Sequence, residues 1–331
     1  MATIRQVILF GLLALVATPS QPADEDDLVI PGATIELPAV SGRIDHFGID
    51  RQRGRLYIAA LGNNTLEAVD LKEGIRKRSM RGFGEPQGVL YDSATDRVFV
   101  ANGSGNRVDI INGASLSRIG QVEDLEDADN IRLDADARRL YVGYGNGALR
   151  VLDPATGKTV GDIKLAGHPE AFALEQKGPR IFVNVPMARQ IAVVDRTKGA
   201  VVATWSVSEA QANFPMVLDE TGRRLFVGAR NPALLLVYDI DSGKLVAKQE
   251  IGKDTDDLFF DAARKRIYVI CGEGRIDVVR QLDPDHYSIE STIPTAPRAR
   301  TGLFVPETRR LYVAAPSIGT SPARVLAYRV R

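Results

Sequence analysis

The 331-residue chain holds three histidines, each within two residues of a carboxylate, and two of them, His46 and His168, are the candidates for chemistry. His46 follows Asp45, and His168 lies two residues before Glu170. An imidazole grouped with carboxylates suits two chemistries. It can ligate a borderline divalent ion such as Zn²⁺ or Mn²⁺ through mixed N and O donors. It can also act as a general base that a carboxylate orients or a metal assists. Further polar groups of the same kind occur at Gln87, Asp129, Asn130, Asp256, Asp257 and Arg300. These residues are far apart in the chain, so they form a site only if the elements that carry them bring them to one place.

Those elements repeat. "GRLYIAA" at Gly54 recurs as "DRVFVAN" at Asp96, "RRLYVGY" at Arg138, "PRIFVNV" at Pro179, "RRLFVGA" at Arg223, "KRIYVIC" at Lys265 and "RRLYVAA" at Arg309. The shared arginines are Arg55, Arg97, Arg139, Arg180, Arg224, Arg266 and Arg310, at intervals of 42, 42, 41, 44, 42 and 44 residues. Periods of this length match four-stranded propeller blades. Each unit reads as a short apolar strand, the arginine-led strand, a third such as "ALRVLD" or "QIAVVD", and a more polar fourth such as "TVGDIKL". Asp-x-x-x-Gly punctuates the third-to-fourth join at Asp70, Asp153, Asp195 and Asp239; there the Asp caps its own turn. The last unit ends on a third strand, "RVLAYRVR". "ATIELPA" (residues 33–39) resembles a fourth strand, so the N-terminal strand is expected to complete the last unit and close the ring.

The fold class is therefore all-β: a seven-bladed β-propeller of four-stranded antiparallel blades spanning residues 33–331. First strands line the central channel of such a ring. The residue ten before each arginine is comparable from unit to unit: Asp45, Gln87, Asp129, Glu170, Phe214, Asp256 and Arg300. The next position adds His46, Asn130 and Asp257. These side chains are expected to converge on an acidic channel mouth as ligand-binding residues. His46, His168, Glu170 and Asp257 are the candidate catalytic groups, and His46, His168, Asp129, Glu170 and Asp257 the candidate metal ligands. On the opposite face, acids five residues before the arginine (Asp50, Asp92, Asp134, Glu175, Asp219, Asp261) are expected to pair with it across the hairpin.

"VILFGLLALVA" follows a single arginine and leads into "TPSQPADEDD". That is the pattern of a secretory signal peptide over residues 1–23, followed by a short linker at 24–32. The expected location is periplasmic or secreted, with no membrane span after signal removal. Lys plus Arg and Asp plus Glu are 42 each, so bulk charge gives no reason to expect nucleic acid as a partner. Cys271 is the one cysteine, read as a half-buried strand residue. No internal disulfide is possible, and stability must come from packing.

The unit "lYVan…n.v.viD..tGk.v..i" resembles the YVTN-type repeat of YncE-like seven-bladed β-propellers, many of them exported bacterial proteins. The resemblance covers residues 33–331 and is specific for fold rather than activity. It implies a monomeric disc that displays variable turns. The leading functional expectation is a binding module that takes a small ligand or a periplasmic protein over the mouth, with no cofactor beyond a divalent metal ion. A metal-assisted hydrolase or lyase at the same mouth and a protein-interaction scaffold stand as alternatives. Lactonases and a streptogramin-cleaving lyase share the architecture, but none of their catalytic signatures matches here residue by residue.

Overall fold

The computed structural model describes residues 28–331. The stretch read as a signal peptide (1–23) and the start of the expected linker lie outside the described residues. Twenty-eight strands form seven four-stranded antiparallel sheets. In chain order the first six blades are β2–β5 (47–81), β6–β9 (86–122), β10–β13 (131–164), β14–β17 (172–206), β18–β21 (211–250) and β22–β25 (255–294). The seventh is β26–β28 (302–330), completed by β1 (Val29–Glu36). β1 pairs antiparallel with β28, from Val29 opposite Val330 to Glu36 opposite Arg324, and the ring closes as expected. It begins at Val29, so it takes in part of the stretch read as a linker.

The second strand of every blade starts at the aligned arginine. Its unbroken apolar run has a simple cause: both faces of the strand are covered by neighbouring blades. In β3 (Arg55–Ala60), Leu56, Ile58 and Ala60 pack against blade 7, whereas Tyr57 and Ala59 pack against blade 2. Seven such clusters, one at each junction, form the core. Trp205 belongs to the junction of blades 4 and 5, between Phe182 and Tyr238 at 5.3 and 6.3 Å.

The aligned arginines act differently from the sequence expectation. Asp50 and Arg55 do face each other across the strands, as do Asp92 and Arg97. The guanidinium, however, reaches past its neighbour to the next blade and donates to a main-chain carbonyl at that blade's third-to-fourth-strand turn or chain end. Arg55 donates to Gly113 (2.7 Å), Arg97 to Pro154 (3.0 Å), Arg180 to Ile240, Arg224 to Pro284 (2.9 Å) and Arg266 to Arg331 (2.7 Å). Only Glu175–Arg180 forms the expected hairpin pair. The other acids find different partners: Asp50 takes Arg53, Asp92 takes Arg138 of the next blade, Asp134 takes Arg196, and Asp261 takes Arg264. In five of the seven blades the repeated arginine is thus a staple to the next blade.

Cys271, in β23 (Arg266–Cys271), is fully rather than half buried, and burial pushes its thiol well above the ordinary range. The folded protein is expected to resist a thiol reagent such as DTNB and to react once unfolded; reaction under native conditions would contradict this burial. Replacing Arg97 by Ala removes a part-buried, charge-assisted hydrogen bond to Pro154. It should cost about 1.5–3 kcal/mol in urea denaturation.

Candidate functional site

Seven lead-ins converge at one end of the channel, and the backbone fixes their positions. The N–H of Asp45 donates to the Ala59 carbonyl at 2.7 Å, that of Asp129 to Gly143 at 2.9 Å, and that of Glu170 to Asn184 at 3.0 Å. These acceptors lie at the far end of the second strand in three different blades, so the acids sit at equivalent heights. Register shifts at the start of β6, β18 and β22 mark β-bulges there (Pro86/Val89, Asn213/Met216, Thr255/Asp257). Bulges re-aim local side chains. They occur where Gln87, Phe214 and Asp256 join the ring.

The expected residues meet, but as three separate groups. In the first, Asp256 takes Arg230 at 2.6 Å and Arg300 at 3.0 Å, while Arg43 bridges Asp45 at 3.0 Å and Asp256 at 3.6 Å. Asp45 is wholly buried. Burial, and then the nearby Asp45, raise the Asp256 carboxyl against the pull of Arg230 and Arg300. In the second, His46 Nδ1 lies 3.3 Å from Asp257, whose Oδ2 accepts the Gly302 N–H at 2.9 Å. Burial opposes a charge on His46, but Asp257 and Asp45 outweigh it and hold the imidazole up to about 10.

The third group joins blades 3 and 4. One ligand atom from each of Asp129, His168 and Glu170 lies within 4.8 Å of the others. His168 Nδ1 donates to the Gly145 carbonyl at 2.7 Å, and its Nε2 is 4.0 Å from Asp129 Oδ2. Burial acts against a charged His168, but the contacts with Asp129 and Gly145 prevail and raise it to about 9. Glu170 makes no side-chain hydrogen bond or ion pair among the described residues. Burial, reinforced by the charges of Asp129 and Asp256, pushes its carboxyl up to about 8. Gln87 stands apart from all three groups; its amide donates to the Ala128 carbonyl at 3.3 Å.

Below the ring lies a cavity of about 450 Å³ walled by first strands. Phe47, Val89, Phe172, Met216, Leu258 and Phe259 give it apolar sides, and His46, Arg132, Glu220 and Asp257 are its charged groups. At the far end, Glu220 accepts the backbone N–H groups of Gln176 and Lys177, which ties blades 4 and 5 together. Among the described residues, Arg132 has no carboxylate within 4.0 Å. It donates only to the carbonyl of Ile131, at 2.8 Å, and stands 5.6 Å over the Phe172 ring. Burial lowers its pKa.

Two of these groups, Arg43 and Arg132, were not foreseen. With Arg230 and Arg300 they make the mouth mixed in sign rather than simply acidic. Arg132 had a signal in the sequence. Seven residues before the aligned arginine, the units carry Gly48, Leu90, Arg132, Ala173, Val217, Phe259 and Leu303, so one position alone is charged. Arg43 lies in an irregular lead-in with no counterpart to compare. The second-to-third-strand turns are largely engaged within the protein: Asn63 with Ser41 and Thr65, Tyr144 with Asp162 and Arg150, and Glu273 with Arg275.

No family model matches the chain. Two curated relatives do, both described as the uncharacterized protein YncE. The proteins from Escherichia coli K12 and O157:H7 are each 24% identical over 223 residues, which cover 60% of this chain and 63% of theirs. The match thus spans less than two thirds of the relatives' length. Among solved structures, a chain of a mitotic checkpoint complex superposes with a TM-score of 0.79 at 14% identity, covering 98% of this chain and 99% of that one. A chain of Kuenenia stuttgartiensis hydrazine synthase gives 0.75 at 14% identity, covering 88% and 98%. At that identity the likeness shows the fold alone.

The mouth should record itself in stability against pH. Glu170 binds its proton more tightly folded than unfolded, so its contribution shrinks as pH rises from 4.5 to about 8. His46 favours the folded state below 6.5, and that advantage disappears as pH climbs to about 10. Both slopes run downward on the alkaline side. Urea denaturation across pH 5–10 should show this fall, and Glu170→Gln should flatten it between pH 5 and about 8 and be the more stable protein at the upper end. Parallel curves for the two proteins would contradict the raised proton affinity of Glu170.

Proposed function

The chain is a YncE-like seven-bladed β-propeller, and from that premise we propose that it is a binding module that takes a small ligand at the channel mouth. The ligand has an anionic group and an apolar body. The observation that carries this reading is Arg132: a cation on the wall of an otherwise mostly apolar cavity, with no carboxylate in ion-pair range among the described residues. Burying a charge without a counter-ion is unfavourable unless something else satisfies it. A carboxylate entering from the mouth would meet Arg132, with His46 as a second cation, while its apolar part lay against Phe172, Leu258 and Phe259. The cavity volume falls within the usual range for small-molecule sites. Export to the periplasm belongs to the same proposal and rests on the composition of residues 1–23. The internal engagement of the rim turns favours a small ligand over a protein docked across them.

A thermal-shift screen of small aromatic and aliphatic carboxylates, each beside its uncharged amide, tests the reading. At least one acid should bind while its amide does not, and Arg132→Gln should weaken it by tenfold or more. Equal binding of acid and amide, or hits indifferent to Arg132→Gln, would sink it.

A second reading, a metal-assisted hydrolase or lyase at the same mouth, is favoured by one observation: the grouping of Asp129, His168 and Glu170. Screening for lactone hydrolysis with and without added Zn²⁺, against Glu170→Gln as control, separates turnover from binding.

A further inference from the structure

We infer that Asp129, His168 and Glu170 form a binding site for a single divalent cation of the Zn²⁺ or Mn²⁺ class, with a coordination position left open toward the channel mouth. The charge pattern of the ring is the starting point. Asp45 and Asp256 have arginines in ion-pair range, and Asp257 has His46 and the Gly302 N–H. Asp129 and Glu170, from adjacent blades, have no arginine or lysine within 4.0 Å among the described residues. Their one basic neighbour in ion-pair range among the described residues is His168, itself a potential ligand, so these two carboxyl groups lack the arginine partners that Asp45 and Asp256 have. Asp129 is only 6% exposed, so bulk water does not make up for that lack.

The histidine is set as a ligand would be. Gly145 offers a carbonyl, which only accepts, so His168 Nδ1 carries the hydrogen in that 2.7 Å contact. Its Nε2 faces Asp129, at 4.0 Å. A second ring nitrogen anchored to a backbone carbonyl is the usual outer-shell support of a metal-bound imidazole; it fixes tautomer and ring plane. Asp129 is steadied in turn by the Asn130 amide at 3.3 Å. Asn130, 2% exposed, leaves its own Oδ1 without a donor, one more unsatisfied oxygen beside the cluster.

The separations fit after a small closure. Ligand atoms about 2.1 Å from a zinc ion lie about 3.4 Å apart in a tetrahedron. The present atoms are within 4.8 Å of one another, and Glu170, free of partners, is the one able to close the gap. One imidazole and two carboxylates suit a borderline or moderately hard ion and would balance its two positive charges. Three protein ligands leave room for water or a ligand oxygen.

This goes beyond the ligand reading and does not rest on it, since Arg132→Gln leaves all three ligands in place. The test is calorimetric titration of EDTA-treated full-length protein with ZnCl₂ and, separately, MnCl₂. At least one should bind at one ion per chain. Affinity should fall tenfold or more in Glu170→Gln and His168→Ala, while His286→Ala, which removes the exposed imidazole beside Asp283, should leave it unchanged. Glu170→Gln keeps the shape of a half-buried side chain and introduces no charge, so it guards against a folding artefact; circular dichroism confirms the fold of each variant. Absence of stoichiometric binding by either ion would overturn the inference. So would binding that survives Glu170→Gln and His168→Ala, or that is lost in His286→Ala.

Discussion

Closure of the ring is the constraint from which the rest follows. The pairing of β1 with β28 places the two ends of the described chain in one sheet, and it makes blade 7 the neighbour of blade 1. Contacts that sequence distance would forbid then become ordinary. His46 meets Asp257 across 211 positions, and the Thr301 hydroxyl donates to the Ile44 carbonyl across 257. Without β1, β28 would present an unpaired edge, and the strand packing of Ile35 and Leu37 into the junction of blades 7 and 1 would be lost. A mouth made from blade 1 and blades 3 to 7 exists only in the closed form.

Closure fixes the circle, and the aligned arginines fix the angle between its members. A sheet-on-sheet junction built from aliphatic side chains alone has no strong preference against sliding. A guanidinium that donates to one particular carbonyl of the next blade supplies that preference at the outer end of the wedge. The junction of blades 3 and 4 departs from the pattern in an informative way. Arg139 turns back to the carbonyls of Ala137 and Arg138, and Arg196 of blade 4, held to the carbonyls of Glu175 and Gly178 in its own blade, crosses to Asp134 of blade 3. The staple persists there with donor and acceptor blades exchanged. The same junction carries Asp129, His168 and Glu170 at its other end.

Much of this was legible in the sequence. The seven arginines gave the blade count and the start of every second strand, because a side chain held in a fixed inter-blade contact must recur with the blade. The third strand that ends the chain and its partner near residue 33 gave the closure. The convergence of Asp45, Asp129, Glu170 and Asp256 followed from counting back a constant distance along equivalent strands. What remained hidden was the direction in which long side chains reach. Asp50 and Arg55 are cross-strand neighbours, and nothing local reveals that Arg55 passes its neighbour to find Gly113 in the next blade. Arg43 was invisible because it belongs to an irregular lead-in that no other unit shares. The division of the mouth into carboxyl groups with and without arginine partners likewise depends on where Arg43, Arg230 and Arg300 end up.

That division separates scaffold from chemistry within one ring. Positions that repeat in all units serve the fold, since every junction makes the same demand. Positions that differ answer to something that is not seven-fold, and the channel axis is where such a thing would sit. Buried charges there are costly, and an ion pair in a low-dielectric setting commonly returns little net stability. Asp45 and Asp256, matched by Arg43, Arg230 and Arg300, are near balance on that account, and packing could replace them at little cost. Among the described residues, Arg132 and Glu170 are not balanced: one is a cation without a carboxylate in range, the other a carboxyl without a cation in range. They stand on the same channel, close enough to the mouth to be reached from solvent, yet each is left without the other as partner. Such a pair of separated, unpartnered groups, one a guanidinium and the other a carboxyl that keeps its proton up to about pH 8, stabilises nothing by itself. Its physical logic is completed only by groups that arrive from outside, an anion at the first and a cation at the second.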